Sequence, residues 1–100
     1  MKVRIEKSFD HDVDKVKDKK LLQKISFIIS GLESAAEVKD IPRVKKIKSF
    51  SSFYRIKIGD YRLGMELTPG NEIILLRFLH RKDIYRHFPK KGSRMPPKFY

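Results

Sequence analysis

Phe53-Tyr54-Arg55-Ile56-Lys57-Ile58-Gly59-Asp60-Tyr61-Arg62-Leu63-Gly64-Met65-Glu66-Leu67 is the stretch that decides the fold. Apolar and polar residues alternate on either side of Gly59-Asp60, a dipeptide suited to a tight hairpin turn whose first central residue needs φ > 0. A two-residue loop fixes the facing pairs: Ile58 with Tyr61, Lys57 with Arg62, Ile56 with Leu63, Arg55 with Gly64, and Phe53 with Glu66. Side chains alternate across a strand, so Tyr54, Ile56, Ile58, Tyr61, Leu63 and Met65 fall on one face, a core face. Arg55, Lys57 and Arg62 fall on the other, around Gly64, which has no side chain. Cross-strand neighbours lie ~5 Å apart, and like charges directly opposite one another destabilise a sheet. One account of this cationic face is a solvated strand surface. The other is an anion site, most simply for a phosphodiester backbone, and it gives the repulsion a use.

The whole chain leans the same way. Lys and Arg total 24 against 12 acidic residues, a formal net charge of +12 in 100 residues, with a pI near 10.1. That excess points to nucleic acid, an anionic membrane or an acidic protein partner. The 40% hydrophobic share and 11% aromatic content belong to a chain that folds, and the length suits one domain. We expect residues 1–89 to form that domain and residues 90–100, with four cations and Pro96-Pro97, to be a flexible tail. Cysteine is absent, which excludes disulfides, a thiol nucleophile and Cys-ligated metal. The longest apolar run, Ile73–Leu79, is broken by Arg77 and far short of the ~20 residues that span a bilayer. The first residues, Met1–Lys7, lack an apolar signal core. The expectation is a soluble cytoplasmic protein with no membrane partner.

Read in order, Val3 and Ile5 alternate with charged residues as a short strand. Ser8 is a candidate N-cap for a helix carrying Phe9, Val13 and Val16, with Asp10 and Asp12 in its first turn. A second helix, about 19–33, carries Leu21, Leu22, Ile25, Ile28, Ile29 and Leu32 as an apolar stripe. The two helices read as a hairpin covering one face of a sheet. Val44–Lys48 is a strand, Ser49–Ser52 a turn, and the central hairpin follows. Thr68-Pro69-Gly70-Asn71 is a turn signal. Glu72–Leu79 is an interior strand by its β-branched and aliphatic run, and its Arg77 either joins the cationic face or pairs with an acid. Ile84 and Phe88 are spaced to dock a short helical segment. The fold class is α+β: an antiparallel four- to five-stranded sheet backed by an N-terminal helical hairpin.

Two motifs taken together, Tyr54–Arg62 and Leu76-Arg77-Phe78-Leu79-His80-Arg81-Lys82-Asp83-Ile84-Tyr85-Arg86, with this element order, resemble the RelE/ParE superfamily of bacterial toxins, most closely its RelE branch. The resemblance covers about residues 2–89. It implies a microbial-RNase-like fold whose basic concave face accepts RNA, and a toxin of a type II toxin–antitoxin system that cleaves mRNA in the ribosomal A site without metal or cofactor. It also implies inhibition by a cognate antitoxin, in a toxin–antitoxin heterotetramer. By position, Arg55, Lys57 and Arg62 match the basic cluster of the central hairpin, Arg81 the arginine after the last strand, and Tyr85 approximates the tyrosine that orients substrate. Lys45, Lys48, Arg77, His80, Lys82 and Arg86 are the further RNA-binding candidates.

Metal-free cleavage by the 2′-OH needs a base, positive charge for the phosphorane, and an acid for the leaving 5′-oxygen. Arginine stays protonated and is no base. Lys57, crowded by Arg55 and Arg62, which disfavour its charged form, is the candidate base; Arg55 and Arg62 would stabilise the phosphorane, and Arg81 would clamp the phosphate. RelE-type sites often carry lysine where Arg55 stands, which leaves Lys57 as the one lysine candidate. Glu66, facing Phe53, reads as a strand-edge carboxylate more readily than as a base. His80 stands where a proton shuttle would be wanted, or is structural; Tyr85 stacks a base, or pins the last segment. His11, His80 and His87 lack metal-ligand spacing. Two rivals stay open: a ParE-like poison of DNA gyrase on the same fold, and a non-catalytic module binding RNA or ribosome through its charge.

Overall fold

A computed structural model describes residues 1–47 and 52–89. The elements are β1 (Lys2–Ile5), α1 (Lys7–Asp14), α2 (Lys19–Ser34), a 3₁₀ turn (Val38–Asp40), β2 (Val44–Lys46), β3 (Phe53–Ile58), β4 (Tyr61–Leu67), β5 (Glu72–His80) and α3 (Ile84–His87). They build one five-stranded sheet in the order β1-β5-β4-β3-β2. The meander β2 to β5 is antiparallel, as the turn signals require. β1 is the exception to the expected all-antiparallel sheet: it lies parallel to β5, in register from Lys2 with Glu72 to Ile5 with Leu75. The two helices between β1 and the meander allow this, because a parallel neighbour needs a long crossover rather than a hairpin.

The hairpin register is that of the alternation: Ile58 opposite Tyr61, Lys57 opposite Arg62, Ile56 opposite Leu63, Arg55 opposite Gly64, Phe53 opposite Glu66. Gly59 takes φ +58° at the turn, a conformation that costs a non-glycine residue about 1–2 kcal/mol. Ile56, Ile58, Leu63 and Met65 are buried with Ile73, Leu75 and Phe78 under α1 and α2, whose Phe9, Ile25 and Leu32 complete the core. The Phe78 ring stacks on Tyr61 at 5.1 Å and meets Phe9 edge-on at 6.3 Å.

α2 starts at Asp18, whose carboxylate accepts the Lys20 and Leu21 N–H groups. α1 starts differently from the expectation: Glu6 is the N-cap position, and the Ser8 hydroxyl instead donates to Leu76 O at 2.6 Å. The reason lies in β5, which outruns β1. Past Leu75, whose carbonyl accepts the Glu6 N–H, β5 has no strand on that side. Side chains of α1 satisfy its edge: Ser8 at Leu76 O, and Asp12 accepting the Phe78 N–H at 2.9 Å. A buried backbone group left without such a partner costs as much as a lost hydrogen bond. Asp12 is therefore a buried strand-edge acceptor, 5% exposed, and not a first-turn residue answering the helix dipole.

Candidate nucleic-acid interface

The face of the sheet turned away from α1 and α2 is built from the alternate residues of the same strands. Phe53, Arg55 and Lys57 share it with their partners Glu66, Gly64 and Arg62. Lys45 joins them, opposite Arg55 across the β2–β3 pair. The expectation of one cationic face therefore matches the geometry, but the surroundings of Gly64 differ. Its bare surface is filled: the Phe88 ring lies flat against it, so that an added Cβ would sit 2.7 Å from two ring atoms. Phe88, Ile84 and Phe53 are buried together, with Ile47, Leu76 and Leu79 against them, and the Phe53 and Phe88 rings meet edge-on at 5.6 Å. This second, smaller core divides the face. It covers the end nearest Phe53 and leaves the Gly59 end to the cations. Glu66 is buried on the covered part, 5% exposed, and is not an edge carboxylate, because β4 is the middle strand.

The turn at Gly59-Asp60 organises the open end. Arg62 folds back on it, Nη1 donating to the carbonyls of Gly59 and Tyr61, both at 2.9 Å. Nε and Nη2 have no partner among the described residues, so three N–H donors face outward. Arg81 arrives from the other side, its N–H donating to Asp60 O at 2.7 Å, and its Nε stands 3.7 Å from Asp60 Oδ1 with both side chains more than half exposed. An exposed pair at that separation contributes about 0–1 kcal/mol and yields easily to a phosphate. Arg55 is half-buried and Lys57 exposed. Among the described residues neither has an ion pair or a side-chain hydrogen bond, and the same holds for Lys45. Arg55, Lys57, Arg62 and Arg81 thus come from three consecutive elements to one rim.

The remaining candidates divide. Arg77 is removed from the interface: its Nε and Nη2 donate to the two oxygens of Asp12 at 2.7 and 3.0 Å, and it locks α1 to β5. Arg77 pairs with Gly64, in the row of Arg55, and it is the Asp12 carboxylate that draws its guanidinium away; the register irregularity after Gly64, where Met65 pairs with Leu75, leaves out Leu76. His80 accepts the Lys82 N–H at Nδ1, 3.1 Å, and meets Tyr61 edge-on at 5.6 Å. His80 thus shapes the Arg81 turn, and Nε2 is its remaining ring nitrogen. Tyr85 is 56% exposed while its neighbours Ile84 and Phe88 do the docking, so the ring is presented and not pinned. Lys82 and Arg86 are exposed on the same turn and helix. Lys48 and the proposed tail, residues 90–100, lie outside the described residues, as do 49–51 of the expected turn. No group of His, Asp and Glu among the described residues has metal-holding geometry, and no described helix is long and apolar enough to cross a membrane.

Asp60 is the contributor that the sequence reading missed, and Phe88 packs as expected but on Gly64. For Asp60 a signal existed: Tyr61 pairs with His80, and one further step of that register sets Asp60 beside Arg81. It was hidden by the unknown length of the β4–β5 turn.

Comparison with known proteins places this architecture. Residues 3–85 match the family model of the ParE toxin of type II toxin–antitoxin systems, parDE. Toxin RelE3 of Methanocaldococcus jannaschii is 39% identical over 90 residues, covering 89% of this chain and 100% of that protein. The solved RelB-RelE antitoxin–toxin complex from Methanococcus jannaschii superposes with a TM-score of 0.72 at 35% identity, covering 86% of this chain and 99% of that one. The archaeal RelE-RelB complex from Pyrococcus horikoshii OT3 shares the fold at a TM-score of 0.64 and 22% identity, over 80% and 93% of the two chains. The chain belongs to the RelE/ParE toxin superfamily.

Proposed function

We propose that the protein is the toxin of a type II toxin–antitoxin pair and acts as a metal-independent endoribonuclease on mRNA in the ribosomal A site. The observation that carries this reading is the rim itself: Arg55, Lys57 and Arg62 share one face of the β3–β4 hairpin, Arg81 meets its Gly59-Asp60 turn, and the Asp60 carboxylate holds Arg81 at 3.7 Å in the open. The chemistry follows from the residue types. Lys57, as the base, takes the proton of a 2′-OH, and the resulting alkoxide attacks the adjacent phosphorus. Arg55 and the outward N–H groups of Arg62 stabilise the added charge of the phosphorane. The P–O5′ bond then breaks, leaving a 2′,3′-cyclic phosphate and a 5′-hydroxyl whose proton comes from water held by Arg81. Tyr85 stacks on an exposed base, a contact worth ~1–3 kcal/mol, and Lys45, Lys82 and Arg86 meet flanking phosphates. A cognate antitoxin holds the toxin inactive by covering this rim.

The family model's ParE description favours a second reading, a poison of DNA gyrase. Both are decided by one experiment: supply the protein to translating ribosomes and map mRNA 5′ ends, with Arg62→Ala and Arg81→Ala alongside. Cuts in the A-site codon that vanish in both variants support the nuclease. Intact mRNA with trapped gyrase–DNA complexes supports the poison, and intact mRNA with ribosome binding alone a non-catalytic module.

A further inference from the structure

We infer that Arg43 is a further RNA-binding residue, which seats the phosphate on the 5′ side of the nucleotide whose 2′-OH attacks, and that the substrate strand crosses the sheet with its 5′ end towards β2. The proposal rests on the nuclease reading above, from which it takes the roles of Lys57 and Arg81.

Arg43 stands out first by its backbone. The Val44 N–H donates to Ile41 O at 3.4 Å, which closes a four-residue turn with Pro42 and Arg43 at its centre. Arg43 has φ +64°. Proline first and a positive φ second is the pattern of a type II turn, whose second central position suits glycine or asparagine. Arginine is strained there, so the turn alone gives no reason for it. Packing gives none either. Ile41 anchors the turn in the core, 6% exposed, whereas Arg43 is exposed and has no ion pair or side-chain hydrogen bond among the described residues. What arginine adds is a permanent positive charge on a backbone that Pro42 and Ile41 hold in place.

The sheet decides where that charge stands. β2 joins β3 with Val44 opposite Ile56, so Arg43, one residue earlier, comes beside Lys57, one residue later, and both border the same hollow with Gly59. Lys57 in turn faces Arg62, and Arg81 meets the Gly59-Asp60 turn beyond. Strands lie ~4.8 Å apart, so Arg43, Lys57, Arg62 and Arg81 form one row from β2 to the end of β5. Chemistry gives the row a direction. The base acts on the 2′-OH of the upstream nucleotide, and the leaving oxygen belongs to the downstream one. Lys57 to Arg81 is therefore 5′ to 3′, and Arg43, outside Lys57, meets the preceding phosphate. It touches no reacting atom, so it acts on binding rather than on the chemical step.

The test uses the full-length protein and ribosomes programmed with short synthetic mRNAs. Each mRNA carries one methylphosphonate, which removes a single phosphate charge, either 5′ of the attacking nucleotide or one linkage 3′ of the cut. Arg43→Asn suits the left-handed backbone and removes the cation. It should unfold at or above the parent's temperature, raise KM about tenfold and leave kcat within about twofold; Arg43→Lys should recover part of the KM. The 5′ methylphosphonate should raise the parent's KM by the same factor and that of Arg43→Asn not at all, while the 3′ one should cost both proteins equally. An unchanged KM in Arg43→Asn overturns the proposal. So does a 5′ methylphosphonate that costs both proteins alike, or a dependence on Arg43 found at the 3′ position, which would reverse the strand. A variant that cleaves normally but escapes an acidic protein inhibitor also overturns it, and gives Arg43 to that partner. Cuts by the parent that Arg43→Asn leaves unaltered sink this inference alone; no cuts by the parent sink the nuclease reading, and this inference with it.

Discussion

Gly64→Ala is the substitution that most directly couples the fold to the rim. Gly64 has no positive φ, so an alanine there is not strained in its backbone; the whole cost is contact. Its Cβ would stand 2.7 Å from two atoms of the Phe88 ring and 2.9 Å from a third, where ordinary contact begins at 3.4 Å. The ring is 1% exposed and wedged against Phe53, so it cannot swing aside alone; it must retreat by about 0.7 Å in a close-packed cluster. Overpacking of this kind costs about 1–3 kcal/mol, offset by ~0.4–1 kcal/mol from the stiffer unfolded chain. The net expectation is a loss of about 1–2 kcal/mol in urea unfolding, at about 4–8 °C of Tm per kcal/mol for a domain this size. Phe88→Ala removes the clashing atoms, Cγ, Cδ1 and Cδ2, so the double variant should be more stable than the two single losses added together, by ~1 kcal/mol or more. Cleavage should fall with Gly64→Ala as well, because Phe88 anchors α3, which bears Tyr85 and Arg86 and follows Arg81. Stability within ~0.5 kcal/mol of the parent, or strict additivity with Phe88→Ala, would refute the reasoning.

Three further outcomes are expected. Lys57→Ala should cut mRNA cleavage by ~10²–10⁴ with unfolding unchanged, since the side chain is exposed; retained cleavage at mapped 5′ ends takes Lys57 out of the base role. Asp12→Ala should cost about 3–5 kcal/mol, because it strands the Arg77 guanidinium and the Phe78 N–H together, while Asp12→Asn keeps an acceptor and loses less; chemical denaturation showing less than ~1 kcal/mol for the alanine contradicts the edge-acceptor account. Gly59→Ala should cost about 1–2 kcal/mol and Gly59→Asn less, since asparagine tolerates the left-handed region; equal stabilities by thermal unfolding would mean the turn relaxes to another type.

The hairpin was legible because period-two alternation and a two-residue turn leave no freedom: once Gly59-Asp60 is the loop, every pair from Ile58–Tyr61 to Phe53–Glu66 is forced. The helix stripe of α2 was legible for the same reason at period 3.6. What alternation cannot see is anything that breaks its period or comes from afar. Arg77 follows the pattern of the cationic face, yet its guanidinium is taken by Asp12, 65 residues away in sequence. β1 reads as a strand but carries no mark of its parallel partner. Phe88 is spaced to pack, but its target, the bare backbone of Gly64, shows only once the sheet is folded.

The acids decide what the charge is for. Only 12 stand against 24 cations, so where they are spent shows which cations belong to the fold. Asp12 goes to Arg77, Glu72 to Arg4 at 3.7 Å, Glu37 to Lys39 at 3.3 Å and Asp18 to the first turn of α2. Each of these serves an edge, a loop or a helix end. Asp60 reaches the rim at the turn, at a separation that a phosphate can replace. Lys45, Arg55, Lys57 and Arg62 lie on adjacent strands within one another's fields. The repulsion kept there is a cost to the free protein that a bound polyanion removes. Neutralising Lys45, Arg55 or Lys57 should therefore stabilise the free fold, or leave it unchanged, while weakening its hold on RNA; Arg62 differs, because it also bonds the turn carbonyls.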